Sequence, residues 1–197
     1  MEMSGEERIP ASQADTWAAL NDPEILKACV PGCESIDPLA QNEYQVLMVA
    51  RIGPVSARFK GKLALSDLVP PHSYAIAFEG QGGAAGFGKG AAQVQLAPDG
   101  DGTRLSYQVK ASVGGKLAQI GSRLVDAAAK KVATDFFAAF SDKVAALHGA
   151  PAAAHEEHLP APVPRDADLP TVSDGSLAFL AAGSLVVCAV ALIVLFG

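Results

Sequence analysis

Between residues 44 and 112 apolar and polar side chains alternate in short runs, the period of strands with one buried face. Tyr44–Arg51, Val55–Leu63, Tyr74–Phe78, Gln93–Leu96 and Thr103–Ser112 carry this pattern, and most are rich in β-branched or aromatic residues. The cluster Pro98-Asp-Gly-Asp-Gly102 between the last two has the chemistry of a hairpin turn. Upstream, Ser12–Leu20 reads as a short helix with Ser12 as cap and Trp17 and Leu20 three apart on one side. A second short helix is predicted over Pro23–Ala28, where Pro23 suits a first turn. Downstream, Ile120, Leu124, Ala128, Val132, Phe136, Phe140 and Val144 recur mostly every four residues, with Arg123, Lys130, Lys131 and Lys143 largely off that face. This predicts one long helix over Leu117–Leu147. The expected class is α+β: two short helices, an antiparallel sheet of six or seven strands, and a long final helix gripped by the curved sheet.

The pattern changes twice after that helix. Residues 148–175 have no apolar period and carry Pro151, Pro160, Pro162, Pro164 and Pro170 among Ala, His and acidic residues. Such a stretch buries too little surface to offset its ordering entropy and is expected to be a solvated linker, with a coil reach of about 30 Å. Residues 176–197 contain an uncharged run with Leu177, Phe179, Leu180, Leu185, Val186, Val187, Leu192, Ile193, Leu195 and Phe196, in which Ser184 is the polar interruption. A helix of about 20 apolar residues matches the roughly 30 Å hydrocarbon layer, so a transmembrane tail anchor is expected there. The chain thus divides into a domain at 1–147, a linker at 148–175 and an anchor at 176–197.

Charge and cysteine content narrow the partners. The chain has a net charge of −6, most of it in the linker. A near-neutral, slightly acidic domain argues against nucleic acid and against simple electrostatic adhesion to anionic lipid. The N-terminal stretch Met1–Arg8 lacks the basic and apolar regions of a secretory signal. Cys29, Cys33 and Cys188 form an odd set, so no disulfide framework is implied. The expected location is the cytoplasmic membrane, single-pass, with the domain in the cytoplasm.

Several motifs invite chemistry and most decline it. Cys29 and Cys33 bracket Val30-Pro-Gly32, a spacing that is neither the redox pair C-x-x-C nor a complete zinc site. A tight turn with small thiols accounts for it, with Val30, Pro31, Gly32 and Cys33 as a loop that rims a cavity or meets a partner. The run Gly80–Gly90 resembles a phosphate loop, but Lys89 precedes Gly90 instead of Ser or Thr, and a strand follows where a helix should open. A flexible glycine-rich hairpin with Phe87 at its tip is expected. His155-Glu-Glu-His158 lies in the linker without a scaffold to fix metal geometry, and His72 follows Pro70-Pro71 in a turn. No catalytic residue and no metal site are nominated. The long helix is unusually rich in alanine (Ala127, Ala128, Ala129, Ala133, Ala138, Ala139), so its apolar face is either core packing or one wall of a cavity.

Pro23–Ser35, Ile52–Gly61, Gly86–Gly90 and Gly115–Leu124 stand in the order seen in the CoxG family, named for the G subunit of carbon monoxide dehydrogenase, which the chain resembles over about residues 1–147. That family belongs to the START-like, helix-grip superfamily (SRPBCC). The resemblance implies a hydrophobic cavity between sheet and helix, and it implies association with molybdenum hydroxylases of the carbon monoxide dehydrogenase type. Phe59, Phe78, Phe87, Leu117, Ile120, Leu124 and Phe136 are the expected lining of the cavity. The expected role is an adaptor, not an enzyme, that recruits the hydroxylase to membrane lipid and binds a hydrophobic small molecule, a quinone, with no covalent cofactor. An assembly factor without a ligand is the alternative, and a cyclase-like enzyme a more remote one.

Overall fold

The computed structural model describes residues 1–148. The expected linker at 148–175, apart from His148, and the expected anchor at 176–197 lie outside the described residues. Among the described residues no helix is both long and apolar enough to cross a membrane.

Seven strands form one antiparallel sheet in the order β1-β7-β6-β5-β4-β3-β2. They are β1 (Glu2–Ile9), β2 (Cys33–Ala40), β3 (Glu43–Ile52), β4 (Val55–Val69), β5 (Ser73–Gln81), β6 (Phe87–Asp99) and β7 (Gly102–Gly114). The alternating segments of the sequence all lie in strands, and each strand extends further than the pattern requires. Burial alternates along them as the pattern demands: Tyr44, Val46, Met48, Ala50 and Ile52 of β3 point inward, as do Tyr74, Ile76 and Phe78 of β5. The Asp99–Gly102 hairpin turns through Gly100 at φ +66.

Two strands go unpredicted. In β1 the inward positions include Gly5 and Glu7, which erase the hydropathy contrast, and its strand character comes from an eight-pair register with β7, Glu2↔Lys110 to Ile9↔Thr103. In β2 only Ile36 is buried, and Pro38 sits at a register shift, which an edge strand tolerates. Cys33 is therefore the first residue of a strand and not part of a loop.

The short helices are α1 (Gln13–Ala19) and α2 (Pro23–Cys29). Ser12 accepts from the backbone N–H of Asp15, and Asp22 caps α2 through Glu24 and Ile25. Both are capped as helices of this length require. The long helix is not continuous. It divides into α3 (Lys116–Gln119) and α4 (Ser122–His148) at Gly121, whose φ of +93 no other residue adopts without strain.

Its buried face also differs from the predicted stripe. Val125, Ala129, Ala133, Phe136, Phe137, Phe140 and Val144 are buried, whereas Leu124 is 51% exposed. Strict four-residue spacing advances about 40° per step around a helix of 3.6 residues per turn, so it cannot stay on one face over six steps. The real stripe mixes steps of three and four. Its aromatic centre packs as a unit: Phe136 and Phe140 stack at 5.6 Å, Phe136 meets Phe137 edge-on at 5.1 Å, and Phe137 stacks on Tyr107 of β7 at 5.4 Å. Phe140→Ala should cost about 3–5 kcal/mol, the range for an emptied aromatic site. Leu124→Ala should cost well under about 1 kcal/mol, as an exposed truncation does, and urea unfolding of the two variants measures the difference.

Candidate functional site

Antiparallel pairing delivers four connections to one end of the sheet. They are the turn at residues 30–32 before β2, the β3–β4 hairpin at Gly53-Pro54, the β5–β6 connection over Gly82–Gly86, and the segment Gly115–Gly121 that carries α3 into α4. The opposite end holds α1, the hairpin at Gly100-Asp101 and the C-terminus of α4, where His148 Nδ1 lies 3.7 Å from Asp15. Gln13 of α1 donates to the Leu96 carbonyl at 2.8 Å, and Thr103 donates to the Ala11 carbonyl at 2.8 Å, fixing that end.

The loop end is built by close backbone contact. Gly86 at φ +121 packs on Gly114 and Gly115, and a Cβ on either Gly86 or Gly115 would collide with the backbone of the facing loop. A single 3-10 turn, Gly83–Ala85, bridges the β5–β6 connection, and the Phe59 ring lies directly against Gly82. Leu117 is fully buried although Lys116, Ala118 and Gln119 around it are exposed, so α3 is pinned to the core by one side chain.

Of the residues expected to line a cavity, Phe59, Phe78, Leu117 and Phe136 are buried together in the core between sheet and helices. Ile120 is partly buried at its edge. Phe87 and Leu124 are not among them. Phe87 is 49% exposed because it occupies an outward register position of β6, in line with Lys89 and Ala91. Leu124 lies off the buried stripe of α4 and faces Gly53 of the β3–β4 hairpin. Phe87 opens β6 and is not the tip of a hairpin. Pro31 and Gly32 do border a hollow of about 360 Å³ together with Met48, Ala50, Arg51 and Val132.

A larger hollow, about 770 Å³, opens on the outer face of the sheet. The register places Ala64, Ala77 and Ala91 side by side across three strands as its floor, with the row Lys62–Glu79–Lys89 beside them. A neighbouring hollow of about 380 Å³ is bordered by Leu39, Lys60, Gln81 and Phe87. Sequence reasoning passes over this surface because alanine at outward positions carries no hydropathy signal. The strand register is the clue that could find it.

Burial pushes the Cys33 thiol up to about 11, partly offset by Lys27 and reinforced by Glu34 and Asp37. Burial likewise raises Cys29, against the field of Lys143. Both thiols stay protonated near neutral pH, which suits inert packing and not metal ligation or exchange. Among the described residues no group of three His, Cys, Asp or Glu side chains could hold a metal ion. The His155–His158 motif lies outside the described residues. His72 is 3.0 Å from the amide of Gln13, at the far end from the loops. Burial, then the charge of Glu7, raises Tyr107.

Comparison with known proteins adds a family. The family model for CoxG, the G subunit of carbon monoxide dehydrogenase, matches residues 5–145. No curated protein matches the sequence. Among solved structures, a conserved protein from Geobacillus kaustophilus is 29% identical, with a TM-score of 0.70 over 74% of this chain and 96% of that one. The Zhui aromatase/cyclase from Streptomyces sp. R1128 is 11% identical, with a TM-score of 0.56 over 73% of this chain and 93% of that one. Ara h 8.0201 is 17% identical, with a TM-score of 0.53 over 74% and 98% respectively. The last two likenesses show the helix-grip fold alone.

Iodoacetamide labelling resolved by peptide mass spectrometry checks the thiol assignment. The Cys33 rate should climb steadily from about pH 7 to beyond about pH 10, as a thiol raised above its usual range requires. A plateau by about pH 8 would show an activated thiolate, and one near about pH 9.5 an ordinary thiol.

Proposed function

Because the chain belongs to the CoxG family of carbon monoxide dehydrogenase, we propose that it serves a molybdenum hydroxylase of that type as a membrane-anchored adaptor. In this reading residues 176–197 hold the protein in the cytoplasmic membrane, residues 148–175 are the leash, and the helix-grip domain shelters a quinone. The quinone would accept the electrons that the hydroxylase takes from its substrate and carry them to the respiratory chain.

The observation that carries the reading is the chemistry of the interior. Thr16, Asn21 and Thr103 are buried towards the end of the fold opposite the four loops, and the buried tyrosines Tyr44, Tyr74 and Tyr107 add hydroxyls to an otherwise apolar interior. From Phe78 and Phe136 outward to Phe59 and Leu117 the interior is apolar, with no buried charge for a ligand to satisfy. Such a lining fits an isoprenoid chain and offers little to a charged or sugar-like molecule. A polar ring head would then rest at the loop end, beside Gly82–Gly86 and Leu117. The remaining chemistry assigned to this chain is exclusion of water and orientation. No side chain is assigned proton transfer, and the aromatase/cyclase likeness carries no activity to this protein at its identity.

Native mass spectrometry with lipid extraction tests the ligand directly. The core closes within residues 1–148, so this fragment can be expressed in a quinone-producing host. It should co-purify with a quinone, and Leu117→Arg should lose at least ten-fold of it while circular dichroism stays native. Quinone-free protein after gentle extraction would remove the ligand from the proposal.

Deleting residues 176–197 should move the hydroxylase to the soluble fraction with its dye-reducing activity intact. Loss of that activity would instead favour an assembly role, and an unchanged membrane fraction would remove recruitment.

A further inference from the structure

The net charge of the domain conceals a separation along its axis. At the loop end, Arg51, Arg58, Lys60, Lys89, Lys116 and Arg123 are all exposed. Of the nearby acids, Glu34 accepts from Arg58 at 2.8 Å, Asp126 is half-buried near the start of α4, and Glu79 lies in the sheet register between Lys89 and Lys62, the latter paired with Glu43 at 2.9 Å. At the opposite end the balance reverses, with Glu6, Asp15, Asp67, Asp99 and Asp101 exposed or partly so around Arg8 and Arg104. The outer face of the sheet repeats the division. Its half near the loops carries lysines and apolar side chains, and its far half carries Ser4, Gln93, Gln95, Ser106 and Gln108. The 27-residue α4 points its N-terminus at the basic end, which adds the positive pole of its dipole.

Two large apolar side chains stand exposed amid these cations. Leu124 is 51% exposed beside Arg123 and the Gly53 hairpin, and Phe87 is 49% exposed beside Lys60 and Lys89. Cations ringing a few protruding apolar groups are the pattern of a surface that settles into lipid headgroups, where lysine and arginine meet phosphates and the apolar side chains reach the acyl boundary. The opposite end exposes Val69 at 53% and Leu147 at 55%, so what marks the loop end is apolar side chains standing together with cations. We infer that the loop end is a docking face for an anionic bilayer surface, so that the domain sits loops-down on the membrane. The uncharged run from Leu177 to Gly197 supplies the proximity. The inference rests on the anchoring reading above only for that proximity, and it requires no bound ligand.

The chain has one tryptophan, Trp17, in α1 at the end away from the loops, which makes it a built-in control. The full chain and its Leu124→Trp variant would be reconstituted in vesicles of phosphatidylglycerol and phosphatidylcholine containing brominated lipid, after flotation confirms that both are membrane-bound. The emission added by Leu124→Trp should be quenched at least two-fold more than that of Trp17. Raising salt to about 0.5 M, where the screening length falls to a few ångströms, should reduce the effect, as should pure phosphatidylcholine. Lys116→Glu with Arg123→Glu, both exposed and outside the core, should weaken the quenching by roughly five-fold or more, as loss of cations near an anionic surface requires.

Flotation with no excess quenching of the added tryptophan overturns the docking face while leaving the anchor standing. Equal quenching in anionic and neutral vesicles overturns recognition of charge. Quenching that appears only when the hydroxylase is present reassigns the surface to the protein partner. Failure to float counts against the anchoring reading and removes the proximity on which the docking face depends.

Discussion

A curved sheet of seven strands has one concave face to hide, and here a single long helix does most of the hiding. The stacked Phe136 and Phe140, the edge-on Phe137 and its partner Tyr107 join α4 to β7 in one aromatic seam. Other features are accommodations to that seam. Gly121 separates α3 from α4, while Leu117 holds the short α3 against the core. The α2 helix fills the space between α4 and the edge strand β2, where Leu26 and Cys29 are buried. The N-terminal strand pairs with β7, so the strand bearing the seam is interior to the sheet and not an exposed edge.

The legible parts of the fold are those whose side chains alone declare a period. Strands β3 to β7 alternate clearly, and the caps Ser12 and Asp22 stand where their chemistry predicts or allows. The strands without such a signal, β1 and β2, owe their form to neighbours: Gly5 and Glu7 face inward in one, and Pro38 interrupts the other. The long helix departs from expectation in a different way. Its apolar residues are evident, but a four-residue step is not a 3.6-residue turn, and the drift carries Leu124 out of the core. The same parity accounts for the site residues. Phe59 and Phe78 fall on inward positions of their strands and are buried, whereas Phe87 falls on an outward one. Gly121 is visible as a glycine, but its role as a break depends on a backbone angle that one dimension does not contain.

Charge behaves similarly at a larger scale. A slightly acidic net charge for the domain argues against simple electrostatic adhesion to anionic lipid, but a sum has no direction. Folding sorts the same charges to two ends, and the difference between the ends is much larger than their total. The sorting coincides with the division of loops: the end built from glycine turns is basic, and the end held by α1 and the tight Asp99–Gly102 hairpin is acidic. A dipolar domain of this kind has a preferred orientation in the field of a charged surface even where it has little net attraction to it.

The length of α4 imposes a geometry on everything that follows it. A helix of 27 residues is about 40 Å long, and it begins at the loop end and finishes beside Asp15 at the other. The chain therefore leaves the domain at the pole farthest from the loops. In the anchoring proposal the loops would face the bilayer only with the domain inverted, and the linker would have to span its full height. Residues 149–176, extended at about 3.3 Å each, could cover roughly 90 Å, about twice that height. In the anchoring proposal that surplus would set how far the domain could swing away from the lipid, so leash length would act as a mechanical parameter as well as a spacer.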